Sequence, residues 1–107
     1  MDNSVEWRTL VYQGNVYEKF EASTDGHIRN VVTRTVYKEF VNKNGYCQVA
    51  VSLGSRKSIK VFRIHRAIAE TFIPNLESKP EVNHKDGNKQ NNHLDNLHLP
   101  ESIEIIN

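Results

Sequence analysis

The chain has 107 residues, 37% hydrophobic and 25% charged, with a net charge of +1. That length suits one domain, and that composition is too apolar for a disordered tail. No apolar run nears the roughly 20 residues of a membrane-spanning helix, and the opening residues, Met1 to Glu6, lack the basic and apolar regions of a secretory signal. A single cysteine, Cys47, excludes an internal disulfide and a cysteine-based zinc cage, so the expected compartment is reducing cytosol, with no membrane partner. The near-neutral total hides an asymmetry. Residues 27–66 carry nine lysines and arginines against one acid, Glu39, while both flanks are acidic. A basic middle of this kind suits a polyanion; a set of solvated strand faces is the plainer alternative.

In chain order, Val16 to Phe20 predicts a short strand, Asp25-Gly26 a turn, and His27 to Val31 the returning strand. Val36 to Val41 is β-rich. Asn44-Gly45 is the strongest hairpin signal, followed by Val49, Val51 and Leu53 alternating with Gln48, Ala50 and Ser52, the pattern of a half-buried strand. After a turn over 54–58, Ile59 to Ile64 predicts a further strand of the same meander. Ile64, Ile68 and Phe72 then recur at helical spacing, with Arg66 and Glu70 expected as an i,i+4 pair on the wet side and Pro74 ending the helix near Phe72 or Ile73. His65 borders the apolar stripe and is expected to be packed or to touch phosphate rather than to catalyse.

Residues 80–99 predict a strand at 81–84, a turn at Asp86-Gly87-Asn88, an Asn-rich loop, a strand at 96–99 and the start of a helix at Pro100. A calcium loop fails here, because the order of acidic and amide ligands and the closing Glu are missing. An ordinary Asn-rich loop and a nuclease hairpin remain.

Asn83-His84-Lys85-Asp86-Gly87-Asn88-Lys89, then Asn91-Asn92 and Asn96-Leu97, closely resembles the HNH motif of phage and intron-encoded endonucleases. Asn44-Gly45-Tyr46 with the valines after it, and Ile64 to Asn75, are similar to the segment preceding that motif. Glu6-Trp7, Tyr17 to Phe20, Ser23, Gly26, Ile28 and Arg29 resemble the NUMOD4-like module often fused to it. The resemblance implies a single α+β domain over 1–107. It would comprise a NUMOD4-like module at 6–32, an HNH nuclease-like region at 44–107, and a ββα-metal finger at 80–107, preceded by an antiparallel β meander and one amphipathic helix.

The resemblance also implies roles. His84 takes the general-base position, and a neutral imidazole can accept a proton from water at working pH. Asn96 takes that of the central Asn that ties the strands together and orients the base. One Mg²⁺ or Mn²⁺ ion is expected, with Asn83 as a neutral oxygen ligand where the family often has aspartate. The last ligand departs from the pattern: ungapped counting lands on Ile105, which cannot bind metal. Shortening the connection by one residue puts Glu104 there, and Asn107 is a further candidate. The chain is expected to lack the C-terminal DNA-binding extension of homing enzymes. Arg56, Lys57, Lys60, Arg63, Arg66, Lys85 and Lys89 are expected to contact the phosphates of double-stranded DNA. The function so implied is a phage-type HNH endonuclease or nickase. The alternative is a degenerate HNH module that binds DNA or a host protein without cutting, and a metal-free structural domain is a third reading.

Overall fold

A computed structural model describes residues 4–54, 58–73 and 82–98. The chain opens with β1 (Trp7–Tyr12), a strand that the sequence pattern does not announce, paired antiparallel with β2 (Asn15–Ser23). Tyr12 faces Asn15 across a two-residue turn in which Gln13 and Gly14 both have positive φ, 54° and 80°. Two successive positive-φ residues match the right-handed twist of a hairpin, and glycine makes the second of them cheap. β3 (Ile28–Asn30) completes a first three-stranded sheet.

The expected meander is divided. After Asn30 the chain leaves the sheet: the Asn30 side chain accepts from the amides of Val32 and Thr33, and Arg34 turns the backbone at φ 63°. Of the β-rich Val36–Val41 run, only Phe40–Val41 forms a strand, β4, with a single bridge from Val36 back to Arg29. β4 pairs with β5 (Cys47–Ser52), and β5 with β6 (Ile59–Arg63), making a second three-stranded sheet. Val49 and Val51 point inward as the alternation requires. Leu53 does not join them; it lies past the end of β5 and is exposed.

β6 passes directly into α1 (Ile64–Phe72), so Ile64 is the first helical residue rather than the last of a strand. Ile64, Ala67, Ile68 and Ala69 are fully buried. The core centres on Phe62, which meets Tyr12, Tyr17 and Phe20 edge-on at 5.0, 5.1 and 5.9 Å between ring centroids, the favoured geometry for aromatic pairs. The first hairpin is bolted to α1 by two bonds, Val11 N to Thr71 Oγ1 and Gly14 N to Glu70 Oε1, at 3.0 and 3.1 Å, and to the end of β6 by a third, Arg63 N to the Tyr12 hydroxyl at 3.2 Å. This corrects the expected wet-side pair. Arg66 does reach Glu70 at 4.0 Å, but the Glu70 side chain is only 7% exposed and spends one oxygen on the hairpin. Among the described residues no helix is long and apolar enough to cross a membrane.

The last described elements are β7 (Asn83–His84), one 3-10 turn (Leu94–Asn96) and β8 (Leu97–His98), with β7 and β8 antiparallel. Val82 and Leu97 plug this hairpin into the common core. The fold is therefore α+β, with antiparallel sheets and one helix. The helix expected after Pro100 lies outside the described residues.

Candidate active site

The terminal hairpin is short because its loop does most of the holding. Asn83 faces His98 and His84 faces Leu97 across the two strands. Lys85 N donates to Asn96 O at 2.7 Å and Gly87 N to His84 O at 3.0 Å, which closes the turn. Asn96 is buried and fully engaged: its Oδ1 accepts from Asp86 N at 3.1 Å, and its Nδ2 donates to Asp86 Oδ1 and to Asn91 O, both at 2.9 Å. Asp86 in turn accepts from Asn91 Nδ2 and Asn88 N at 2.9 and 2.8 Å. Donors from Asn91, Asn88 and Asn96 hold the Asp86 carboxyl below its ordinary range, because hydrogen bonds favour the charged form.

The Asn96 side chain thus ties the loop to itself, through Asp86 and Asn91, and does not reach the histidine it is expected to orient. The bond to the histidine ring comes from Asn92, whose Oδ1 lies 2.9 Å from His84 Nε2. Asn92 is buried, at 6% exposure. From the sequence, Asn91-Asn92 belongs to an Asn-rich loop and to the HNH-like motif, with no separate role for either residue.

The other side of His84 is an aromatic wall. His65, from the first turn of α1, lies 5.2 Å from the His84 ring and stacks on Tyr46 at 4.8 Å, 19° from parallel. His65 is the packed histidine expected from the sequence. Burial, followed by the charges of His84, Arg66 and Arg63, pushes it down to about 4, so it is neutral at physiological pH. Tyr46, Val82, Asn83, His84, Gly87 and Lys89 together line an open hollow of about 240 Å³. A hollow of about 390 Å³ on another face is lined by Glu6, Asp25 and Asp95, charges that repel phosphate.

The expected basic residues divide by position. Arg63 and Arg66 are close enough to His65 for their charges to act on it. Lys85 is exposed beside His84. Lys89 is more committed than the sequence suggests, donating to Asn44 O at 3.0 Å with its ammonium 4.7 Å above the Tyr46 ring. It pins the β4–β5 turn to the hollow. Lys60 lies 5.5 Å over Tyr12. Arg56, Lys57, Glu104, Ile105 and Asn107 lie outside the described residues. Among the described residues no group of three His, Cys, Asp or Glu side chains is placed to hold a metal. Asn83, exposed on β7 next to His84, offers an amide oxygen of the kind hard divalent cations accept.

His84 thus sits on a two-stranded hairpin, its ring bonded by Asn92 and its loop tied by Asn96 and Asp86. Residues 62–100 match the family model described as HNH endonuclease, and they belong to that family. An uncharacterized HNH endonuclease of Acanthamoeba polyphaga mimivirus is 39% identical over 82 residues, 77% of this chain and 24% of the relative. The DNA endonuclease I-HmuI of Bacillus phage SP01 is 31% identical over 105 residues, 96% of this chain and 57% of the relative. A solved structure described as DNA binding and cleavage by the HNH homing endonuclease I-HmuI superposes with a TM-score of 0.72 at 27% identity, covering 94% of this chain and 55% of that one. The chain therefore spans about a quarter to just over half of these curated relatives.

Proposed function

We propose that this chain is an endonuclease or nickase that hydrolyses DNA phosphodiester bonds, with His84 as the general base. One observation carries the reading: at the edge of an open hollow the His84 ring is anchored through Nε2, and among the described residues no partner takes its other nitrogen, which would face a water. In the step proposed, a water oxygen attacks phosphorus as its proton passes to His84, and the bond to the 3′ oxygen breaks. Asn96 and Asp86 keep the loop from moving as charge develops on the ring. Asn83, with Glu104 from the segment after the hairpin, would hold Mg²⁺ or Mn²⁺. When bound, such an ion neutralises the phosphate and the departing oxygen. Oxygen donors suit a hard cation that keeps several of its waters. Lys89 in the hollow, Lys85 beside His84, and Arg63 and Arg66 near His65 support the reading with positive charge; Arg56, Lys57 and Lys60 extend it along the chain.

The second reading, a module that binds DNA or a host protein without cutting, draws on the neutral Asn83 and on the lack of a metal-holding trio among the described residues. One experiment separates the two. The wild-type chain is titrated calorimetrically with Mn²⁺ and assayed for nicking of supercoiled plasmid with and without the ion. The nuclease reading expects binding at millimolar metal or tighter and ion-dependent nicking, both weakened by Glu104→Ala and less so by Asn107→Ala. No binding and no nicking, with DNA still retained, establishes the degenerate module.

A further inference from the structure

Asn92 belongs to the finger in sequence but is surrounded by the rest of the molecule. Its backbone runs against the β2–β3 turn: a Cβ added at Gly26 would lie 2.8 Å from Asn92 O and 2.9 Å from its carbonyl carbon. Only glycine permits this approach, and Gly26 also has φ +93°. Two residues on, Leu94 N donates to Thr24 O at 2.8 Å, so the same turn grips the loop twice. The turn is itself stiff. Ser23 is wholly buried, its hydroxyl bonds the Asp25 carboxylate and accepts from His27 N, and Gly26 N donates back to Ser23 O.

The Asn92 side chain spans two groups. One end meets His84 Nε2 and the other hydrogen-bonds the buried Cys47 thiol. Oδ1 is the atom that faces the imidazole, at 2.9 Å from Nε2, which leaves the Nδ2 end for the sulfur. An amide oxygen facing Nε2 requires a hydrogen there, so the lone pair of the neutral ring sits on Nδ1.

We propose that Asn92 is the positioning residue that fixes His84 as its Nε2–H tautomer, and that the β2–β3 turn at Gly26, outside the finger, holds Asn92 in place. The N-terminal sheet is then part of the hydrolytic apparatus as well as a neighbour of it. The inference builds on His84 as the base, yet its first readout is independent of any activity.

The test is long-range ¹H–¹⁵N NMR of the His84 ring in the metal-free chain at about pH 9, above the ordinary histidine range. Wild type is expected to show the Nε2–H form alone; an Nδ1–H form or an even mixture overturns the proposal without any variant. Asn92→Leu, close in size but unable to accept, is expected to give mixed tautomers and to lower kcat for nicking by roughly 10–100-fold with KM within about twofold, the usual scale for an orienting partner. Asn92→Asp keeps the acceptor and is expected to restore the single tautomer and most of kcat. Gly26→Ala, which pushes on the Asn92 peptide from the other sheet, is expected to resemble Asn92→Leu. Equal losses in the Asp and Leu variants, or one unchanged tautomer in Asn92→Leu, overturn the assignment. A wild type with the expected tautomer and no nicking leaves the Asn92 assignment standing and defeats the nuclease reading.

Discussion

Asn92 and Asn96 carry the same side chain four residues apart and do different work. Asn96 spends its amide on Asp86 and Asn91, and Asn92 spends its own on His84 and Cys47. Burial separates neither of them from the other, and only the three-dimensional neighbours do. His65 makes a sharper contrast with His84. It is pushed down to about 4 from an ordinary 6.5, so the folded chain keeps it neutral where the unfolded chain would protonate it. The folded pKa is the lower one. Its contribution to stability is therefore present above about pH 6.5 and is lost as the pH falls toward about 4. Urea melts across this window should show wild type losing stability faster than His65→Phe by on the order of 1–3 kcal/mol in total. Parallel curves for the two would mean that folding leaves the His65 pKa at its ordinary value, which contradicts the lowering by burial.

At the scale of elements, legibility followed the strength of local signals. The helix over 64–72 was readable because Ile64, Ile68 and Phe72 recur every four residues, and the β4–β5 turn because Asn44-Gly45 favours positive φ. β1 was not readable. Its turn is Gln13-Gly14, and glutamine is an unusual occupant of a positive-φ site. Its burial is uneven too, with only Leu10 and Tyr12 fully inside. The division into two sheets depends on Asn30 capping the amides of Val32 and Thr33, a side-chain competition invisible to a count of β-formers. Phe62 shows how far the elements rely on one another, since β1, β2 and β6 all meet at its ring. Phe62→Ala should cost about 3–5 kcal/mol in denaturant unfolding. Val32→Ala, at a position 87% exposed, should fall within about 0.5 kcal/mol of wild type. Similar costs for the two would contradict a single core built around Phe62.

For the whole molecule, the proposed use of the basic middle is to hold a polyanion against the hollow. Each phosphate neutralised should add about −0.9 to the slope of log K against log salt on duplex DNA. Replacing Arg56 and Lys57 together with Ala should flatten that slope by ~2 units and weaken binding alike on unrelated sequences, as read from a fluorescence-anisotropy salt series. Coincident slopes would reduce those two charges to a solvated face. The site was legible in the sequence as His84 between asparagines. Its surroundings, Tyr46 and His65 beside the ring and the turn at Gly26 behind Asn92, come from three other parts of the chain and needed the fold to bring them together.

The central claim is that His84 takes the proton of the attacking water. Supercoiled-plasmid nicking in Mn²⁺ by wild type and by His84→Ala, purified side by side and matched for thermal melting, tests it most directly. The account predicts that the variant keeps the wild-type melt and loses about 10²–10⁴-fold in rate, the span expected on removing a general base. Equal rates for the two proteins would contradict it.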